Sequence, residues 1–95
     1  MNTKEFVIVR TYSAGVHAGY LVSREGKEVT LSECVRVWSW LGANTLHEIS
    51  LHGVAEGSYI SKPIPRILLL EAIEVIPSSE NVRENLIQRA EKWGE

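Results

Sequence analysis

The stretch of residues 9–31 constrains the fold most strongly, because it places two turns between three runs of strand-forming residues. Apolar and β-branched residues run up to Thr11 and stop at a Ser-Ala-Gly turn over residues 13–15. A second run over residues 16–23 stops at an Arg-Glu-Gly turn that ends at Gly26, after which a third run begins. Three strands joined by two short turns predict an antiparallel sheet.

The residue pattern of each run predicts how its strand is curved and which of its faces are buried. Gly19 lies in the middle of the second run, where a glycine weakens a strand unless the strand bends or another backbone approaches closely. Val29 and Leu31 alternate with polar residues in the third run, as expected for a strand with one buried face. The first strand, over residues 6–11, begins with four consecutive apolar residues, so we expect both of its faces to be covered.

Residues 34–41 are compatible with a helix or a strand. Cys34, Val37, Trp38 and Leu41 have the spacing of one helical face, and residues 30–33 resemble a capping box. The valine and tryptophan content favours a strand, which is our prediction. On such a strand Arg36, Trp38 and Trp40 share one face, while Val35, Val37 and Leu41 share the other.

The second half of the chain adds two helices and further strands. Thr45 with a glutamate three residues later predicts a short helix over about residues 45–52. A short strand is expected near residues 58–61, and a long strand over residues 66–76, where the prolines just before it indicate a sheet edge. A serine cap at Ser78 or Ser79 predicts a final helix, with an apolar stripe formed by Val82, Leu86, Ile87, Ala90 and Trp93.

Together these elements predict one α+β domain over residues 1–95. Its β-rich part over residues 1–77 is a strongly curved antiparallel sheet or small barrel with the short helix inserted, and residues 78–95 form the C-terminal helix. Such a small core and an apolar helical stripe predict self-association, most simply as a homo-oligomer.

Composition excludes several classes of protein. A net charge of −2 argues against a nucleic-acid binder that relies on electrostatics alone. A single cysteine fits a reducing compartment, and we find neither a signal peptide nor an apolar run long enough to span a membrane. We therefore expect a cytoplasmic protein with no membrane partner.

The chemistry-bearing side chains do not form a recognisable catalytic or metal-binding pattern. The histidines are His17, His47 and His52, and the last two are five residues apart, which does not place them on one helical face. Cys34 with His17 is a conceivable nucleophile and base, but a lone cysteine between valines is more typical of a small buried side chain. Glu71 and Glu74 are more typical of exposed strand positions than of an acid–base pair. We expect no enzyme activity, no metal and no cofactor.

A binding site is the better hypothesis. Tryptophan and tyrosine faces stack on bases, arginine pairs with phosphate, and backbone N–H groups in the first turn can hold an anion. Trp38 and Trp40 are also typical of a core or a subunit interface, and that interpretation is favoured for one of the two. The candidate ligand contacts are Arg10, Tyr12, Ser13, Ala14, Gly15, His17, Arg36, Trp38, Trp40 and Asn44.

The chain resembles Sm-like members of the SH3-like small barrels. The first Sm signature has a mid-strand glycine, a turn and alternating apolar positions, which Gly19, Leu21, Gly26, Val29 and Leu31 match, and residues 70–76 resemble the second signature. The resemblance implies a barrel and an RNA-binding ring. However, the Asp and Asn that bind uridine in Sm proteins are absent from residues 24–28, and Leu70 and Glu71 replace the Arg-Gly pair.

A second resemblance covers nearly the whole chain. The segments RTYSAGVHAGYLVSREGKEVTL, WSWLGANTLHEISLHGV and ILLLEAIEVIP look like a family of small tailed-phage proteins with an R-T-x-x-A-G-V-H-x-G opening and a W-x-W-x-G-A-x-T-L block. By analogy with small oligomeric phage proteins, this resemblance implies an anti-defence sponge. Such a sponge is a non-enzymatic oligomer in the host cytoplasm that sequesters a nucleotide-type immune signal such as a cyclic nucleotide. The alternatives are the RNA-binding ring and a structural protein with no small ligand.

Overall fold

A computed structural model describes residues 5–13, 15–40, 42, 45–55 and 58–93, with the backbone alone for 91–93. It confirms the predicted α+β fold, a six-stranded antiparallel sheet that is not closed, with one short inserted helix and one C-terminal helix. The elements are β1 (Phe6–Thr11), β2 (Val16–Glu25), β3 (Glu28–Ser39), α1 (Leu46–His52), β4 (Tyr59–Ile60), β5 (Ile64–Leu69), β6 (Ala72–Pro77) and α2 (Glu80–Trp93). The strand order is β4-β3-β2-β1-β6, and β5 pairs with β3.

Strand β3 runs without a break to Ser39, which confirms the strand prediction for this segment; Leu41 lies outside the described residues. Its register with β2 shifts where Gly19 faces an extra residue of β3, Glu33, whose φ is 49°. A bulge of this kind bends a strand and increases its twist. A side chain at Gly19 would lie 2.9 Å from the carbonyl oxygen of Ser32, so the close approach requires a glycine.

The prediction of one long strand over residues 66–76 is wrong, because the segment forms two strands that meet at a corner. β5 pairs with β3, whereas β6 pairs with β1 on the other side of the sheet. At the corner, the N–H of Tyr12 donates to the carbonyl of Glu71 at 3.0 Å, and the N–H of Ala72 donates to the carbonyl of Lys27 at 3.0 Å. These two bonds attach the corner to the turn between β1 and β2 and to the turn between β2 and β3.

This corner requires the sheet to be strongly curved. In a flat sheet β5 and β6 would be four strand spacings apart, roughly 19 Å. Leu69 ends β5 and Ala72 begins β6, and three residues can span only about 10–11 Å. The sheet therefore bends until the outer side of β3 approaches the outer side of β1, although it does not close into a barrel.

The curved sheet separates two apolar clusters, as the run of apolar residues in β1 predicts. Phe6 and Ile8 belong to the cluster beneath the two helices, whereas Val7 and Val9 belong to the cluster on the opposite face. Alternating residues of a strand point to opposite faces, so burial of both faces explains why four consecutive positions are apolar. The second cluster is completed by Val29, Leu31, Cys34 and Leu69.

Both helices begin where the sequence predicts. Thr45 caps α1 and its hydroxyl accepts a hydrogen bond from the N–H of Glu48 at 3.3 Å. Ser79 is the corresponding cap of α2 and accepts from the N–H of Val82 at 3.3 Å. The buried stripe of α2 contains Val82, Leu86 and Ala90, which pack on the first cluster; the side chain of Trp93 lies outside the described part of the chain.

Asn85 ties the two helices together. Its side-chain oxygen accepts from the N–H of Val54 at 2.8 Å, and its side-chain nitrogen donates to the carbonyl of the same residue at 3.1 Å. The segment after α1 is thus held against α2, which fixes α1 over one end of the sheet. No helix within the described ranges has the length and apolar character needed to cross a membrane.

Candidate functional site

An open cleft of about 390 Å³ lies between one end of the sheet and the beginning of α1. Strands β1, β2 and β6 each contribute one residue to it, and the segment from the end of β3 into α1 contributes the rest. Its size falls in the range typical of small-molecule sites. The lining residues are Arg10, Val16, Trp40, Thr45, Leu46, His47 and Glu74.

The sheet register explains why Arg10 and Glu74 meet in this cleft. Arg10 is paired with Val16 on one side and with Glu74 on the other, and directly opposed residues lie on the same face of a sheet. Arg10 Nη1 and Glu74 Oε1 are 3.9 Å apart, and their side chains are 55% and 41% exposed. This separation is too long for a hydrogen bond, so both groups keep capacity to bind another molecule.

Trp40 forms the aromatic part of the cleft. It follows β3 and packs, partly buried, against the apolar cluster that contains Val35 and Val37. β3 ends at Ser39, and the face that we predicted Trp40 would share with Trp38 is not shared: Trp40 packs against the core, whereas Trp38 is exposed beside Tyr59. Trp40 thus packs against the core and also lines the cleft.

A family model described as Domain of unknown function (DUF6948) matches residues 4–86. The chain belongs to the DUF6948 family. The matched range includes the whole sheet, α1 and every residue that lines the cleft. No curated protein and no solved structure matches the chain.

Trp38 of this DUF6948 domain does not line the cleft. It is 63% exposed, and its ring centroid lies 5.9 Å from that of Tyr59 on the neighbouring strand β4. Arg36 lies nearby, with its backbone N–H donating to the hydroxyl of Ser61 at 2.8 Å, and it also does not line the cleft. The contacts predicted over residues 36–40 therefore divide into Trp40, which lies in the cleft, and a separate exposed surface that contains Trp38 and Arg36.

His17 of the DUF6948 domain, one of the candidate ligand contacts, is only 2% exposed. Because β2 already begins at Val16, His17 lies within the strand, paired with the buried Val9 of β1 and the exposed Arg36 of β3. His17 and Val16 point to opposite faces, so only Val16 faces the cleft. Burial at this level makes His17 part of the folded interior.

The first turn of the DUF6948 domain is held by its own contacts. Both the N–H and the hydroxyl of Thr11 donate to the carbonyl of Gly15, at 3.0 and 2.8 Å, and Gly15 has a φ of 86°. The Ser13 hydroxyl donates to the carboxylate of Glu71 at 2.8 Å, while Tyr12 is 79% exposed. Two further candidate contacts, Ala14 and Asn44, lie outside the described residues.

Cys34 has the environment of a buried structural thiol. Burial is the main cause that raises its pKa to about 11, with smaller opposing effects from a backbone hydrogen bond and from Arg36. A raised pKa leaves little thiolate, which is the reactive form of cysteine, at neutral pH. The residue belongs to the apolar cluster on the face opposite the helices, away from the cleft.

Sequence reasoning missed several residues that line the cleft, namely Val16, Thr45, Leu46, His47 and Glu74. Glu74 was expected to be a simple exposed strand position, and only its pairing with Arg10 brings it into the cleft. One signal was available in the sequence: Arg10 and Val16 are separated by the short first turn, and residues paired across such a turn share a face of the sheet. No sequence signal connects residue 74 to residue 10 before the sheet order is known.

Proposed function

We propose that this DUF6948 domain is a non-enzymatic binding module whose cleft takes a small nucleotide-type ligand. The observation that carries the proposal is the meeting of Arg10 and Trp40, from distant parts of the chain, in one cleft of about 390 Å³. An aromatic ring face stacks on a base, and a guanidinium supplies fixed N–H donors to the polar part of a ligand.

The geometry favours this ligand class over a plain apolar molecule. Val16 and Leu46 supply apolar wall, while Arg10, His47 and Glu74 supply polar groups at the same opening. A mostly apolar cavity with a few converging polar groups is typical of small-molecule sites. A nucleotide combines a flat ring with polar edges, which suits such a mixed lining.

Binding is favoured over catalysis by the state of the candidate nucleophiles. Thr45 lines the cleft, but its hydroxyl accepts the capping hydrogen bond of α1. Cys34 is buried on the other face, and burial raises the pKa of its thiol. Within the described residues, no three or more His, Cys, Asp or Glu side chains are grouped so that they could hold a metal ion.

We further propose that the domain acts as a homo-oligomer. Among the described residues, four of the nine exposed large apolar side chains lie on β5, on the corner after it and at the start of β6, namely Ile64, Leu68, Leu70 and Ile73, which are 44–60% exposed. Extended apolar surface of this kind is normally covered by a partner. Sequestration of a nucleotide-type immune signal, as the phage-protein resemblance implies, is the role we propose for such an assembly.

Calorimetric titration with a panel of 3′,5′-cyclic mononucleotides, cyclic dinucleotides and oligouridine tests the ligand class. We expect a cyclic nucleotide to bind with weak salt dependence, because the cleft has one cation and one anion rather than a basic surface. Steeply salt-dependent binding of oligouridine alone would instead support the Sm-like RNA-binding alternative. Light scattering after size exclusion checks the oligomer, and a monomer at micromolar concentration contradicts it.

Matched variants locate the site. Arg10→Ala should weaken binding by about 1.5–3 kcal/mol, and Trp40→Ala by about 1–3 kcal/mol, the usual sizes for a charged hydrogen bond and a stacked base. Arg66→Ala and Trp38→Ala are the controls, because both residues are exposed and neither lines the cleft. Equal losses in the Trp38 and Trp40 variants, with melting temperatures unchanged, would place the ligand elsewhere.

A further inference from the structure

The Arg10–Glu74 pair gives the cleft a charge pattern that does not suit a bare anion. A phosphate that approaches Arg10 also approaches the carboxylate of Glu74, since the two charged groups are 3.9 Å apart. Among the residues that line the cleft, the two charges offset each other. The pair is therefore a poor phosphate site and a good partner for a neutral group that carries a donor next to an acceptor.

Each member of the pair demands a different group from a ligand. An ionised carboxylate only accepts hydrogen bonds, and a guanidinium only donates them. In the described part of the chain Glu74 is the ionic partner of Arg10, at a distance beyond hydrogen bonding. A ligand that lies across both groups must offer an N–H to Glu74 and, beside it, a lone pair to Arg10.

Nucleobases carry such a pattern on their edges. Adenine and cytosine present an exocyclic amine beside an unprotonated ring nitrogen, whereas hypoxanthine and uracil present a carbonyl oxygen beside a ring N–H. An exocyclic amine extends beyond the ring and has two N–H groups, so it reaches a carboxylate in a cleft wall more easily than a ring N–H does. Bidentate pairing of a side chain with a base edge is a common means of discrimination.

We propose that Arg10 and Glu74 together read the edge of an amino-bearing base stacked on Trp40, with the amine on Glu74 and the ring nitrogen on Arg10. This inference rests on the proposed function, since it concerns the same cleft. It assigns Glu74 as the residue that selects among nucleotides and gives Arg10 a role in reading the base.

Two pairs of ligands test the inference on the unmodified protein. Cyclic AMP is compared with cyclic IMP, and cyclic CMP with cyclic UMP, because within each pair only the donor–acceptor order of the base edge changes. In the proposed orientation on Trp40, hypoxanthine or uracil turns its carbonyl toward Glu74 and its ring N–H toward Arg10, so both charged groups lose their hydrogen bond. The amino member of each pair should therefore bind at least about tenfold more tightly. Equal affinities within both pairs would overturn the inference while leaving the proposed function standing. If none of the four binds, the inference is overturned; if no panel member binds either, the proposed function fails with it.

A charge exchange provides the second measurement. The double variant Arg10→Glu/Glu74→Arg keeps one cation opposite one anion on β1 and β6, so the melting temperature reports whether the pair still fits the fold. For a base that keeps its orientation on Trp40, the exchange reverses the order of donor and acceptor, and we expect the double variant to bind cyclic IMP more tightly than cyclic AMP. A folded double variant that retains the original preference contradicts the assignment.

Discussion

Replacing Gly19 with alanine tests the packing of the opening hairpin. The added methyl carbon would lie 2.9 Å from the Ser32 carbonyl oxygen and 3.1 and 3.2 Å from the Cα and Cβ of Cys34. All three neighbours are backbone atoms or the first atom of a side chain, so none can rotate away, and the Glu33 bulge fixes their position. We expect Gly19→Ala to destabilise the domain.

The expected size follows from two opposing effects. Overpacking of this kind costs about 1–3 kcal/mol, while the stiffer unfolded chain returns about 0.4–1 kcal/mol. The net loss is on the order of 1–2 kcal/mol, or roughly 5–15 °C in melting temperature for a domain of this size. Thermal and urea unfolding measure it, and Ser23→Ala, an exposed change on the same strand, is the control. If the Gly19→Ala protein has the same melting temperature as the Ser23→Ala control, the close approach of β2 and β3 is refuted.

Three further outcomes follow from burial and capping. Burial raises the pKa of Cys34 from 9.0 to about 11, so the neutral thiol contributes its full stability below pH 9, and that contribution is lost as the pH rises from 9 toward 11. The difference in urea midpoint between wild type and Cys34→Ala should therefore narrow over this interval, and a constant difference would contradict the prediction. His17 is buried, so His17→Ala should lower the free energy of unfolding by about 1–3 kcal/mol in a denaturation assay. His52→Ala, at the exposed end of α1, is the control and should leave the free energy of unfolding unchanged. Thr45→Ala removes the cap of α1 and should cost about 1 kcal/mol, whereas Thr45→Ser should retain most of the stability.

Most helices and strands could be predicted because the residues that determine them, such as caps and apolar stripes, are close together in the sequence. The capping pair of Thr45 and Glu48 and the apolar stripe of α2 each lie within a single helix and its cap, so the sequence displays them directly. The strand in the second half of β3 was also predicted, since its valine and tryptophan content favours a strand over a helix. These features require no knowledge of the rest of the molecule.

The remaining features depend on pairings between distant segments. Nothing in residues 66–76 marks a corner until β5 is assigned to β3 and β6 to β1, and the same assignment brings Glu74 opposite Arg10. The burial of His17 likewise follows from its position between β1 and β3, not from its own neighbours in sequence. The candidate site was therefore predicted in part, as Arg10 and Trp40, while the acidic member was missed.

The place of β1 between β2 and β6 has a consequence for how the chain reaches its native state. β2 follows β1 after a short turn, but β6 begins only at Ala72. During synthesis at about 5–20 residues per second, the apolar strand at Phe6–Thr11 lacks one of its two neighbours for several seconds. An unpaired strand edge of this kind can pair with another chain and aggregate. The pairing of β1 with β6 is also a long-range contact, and such contacts slow folding. A nascent chain stalled before β6 should accordingly be the species on which chaperones act.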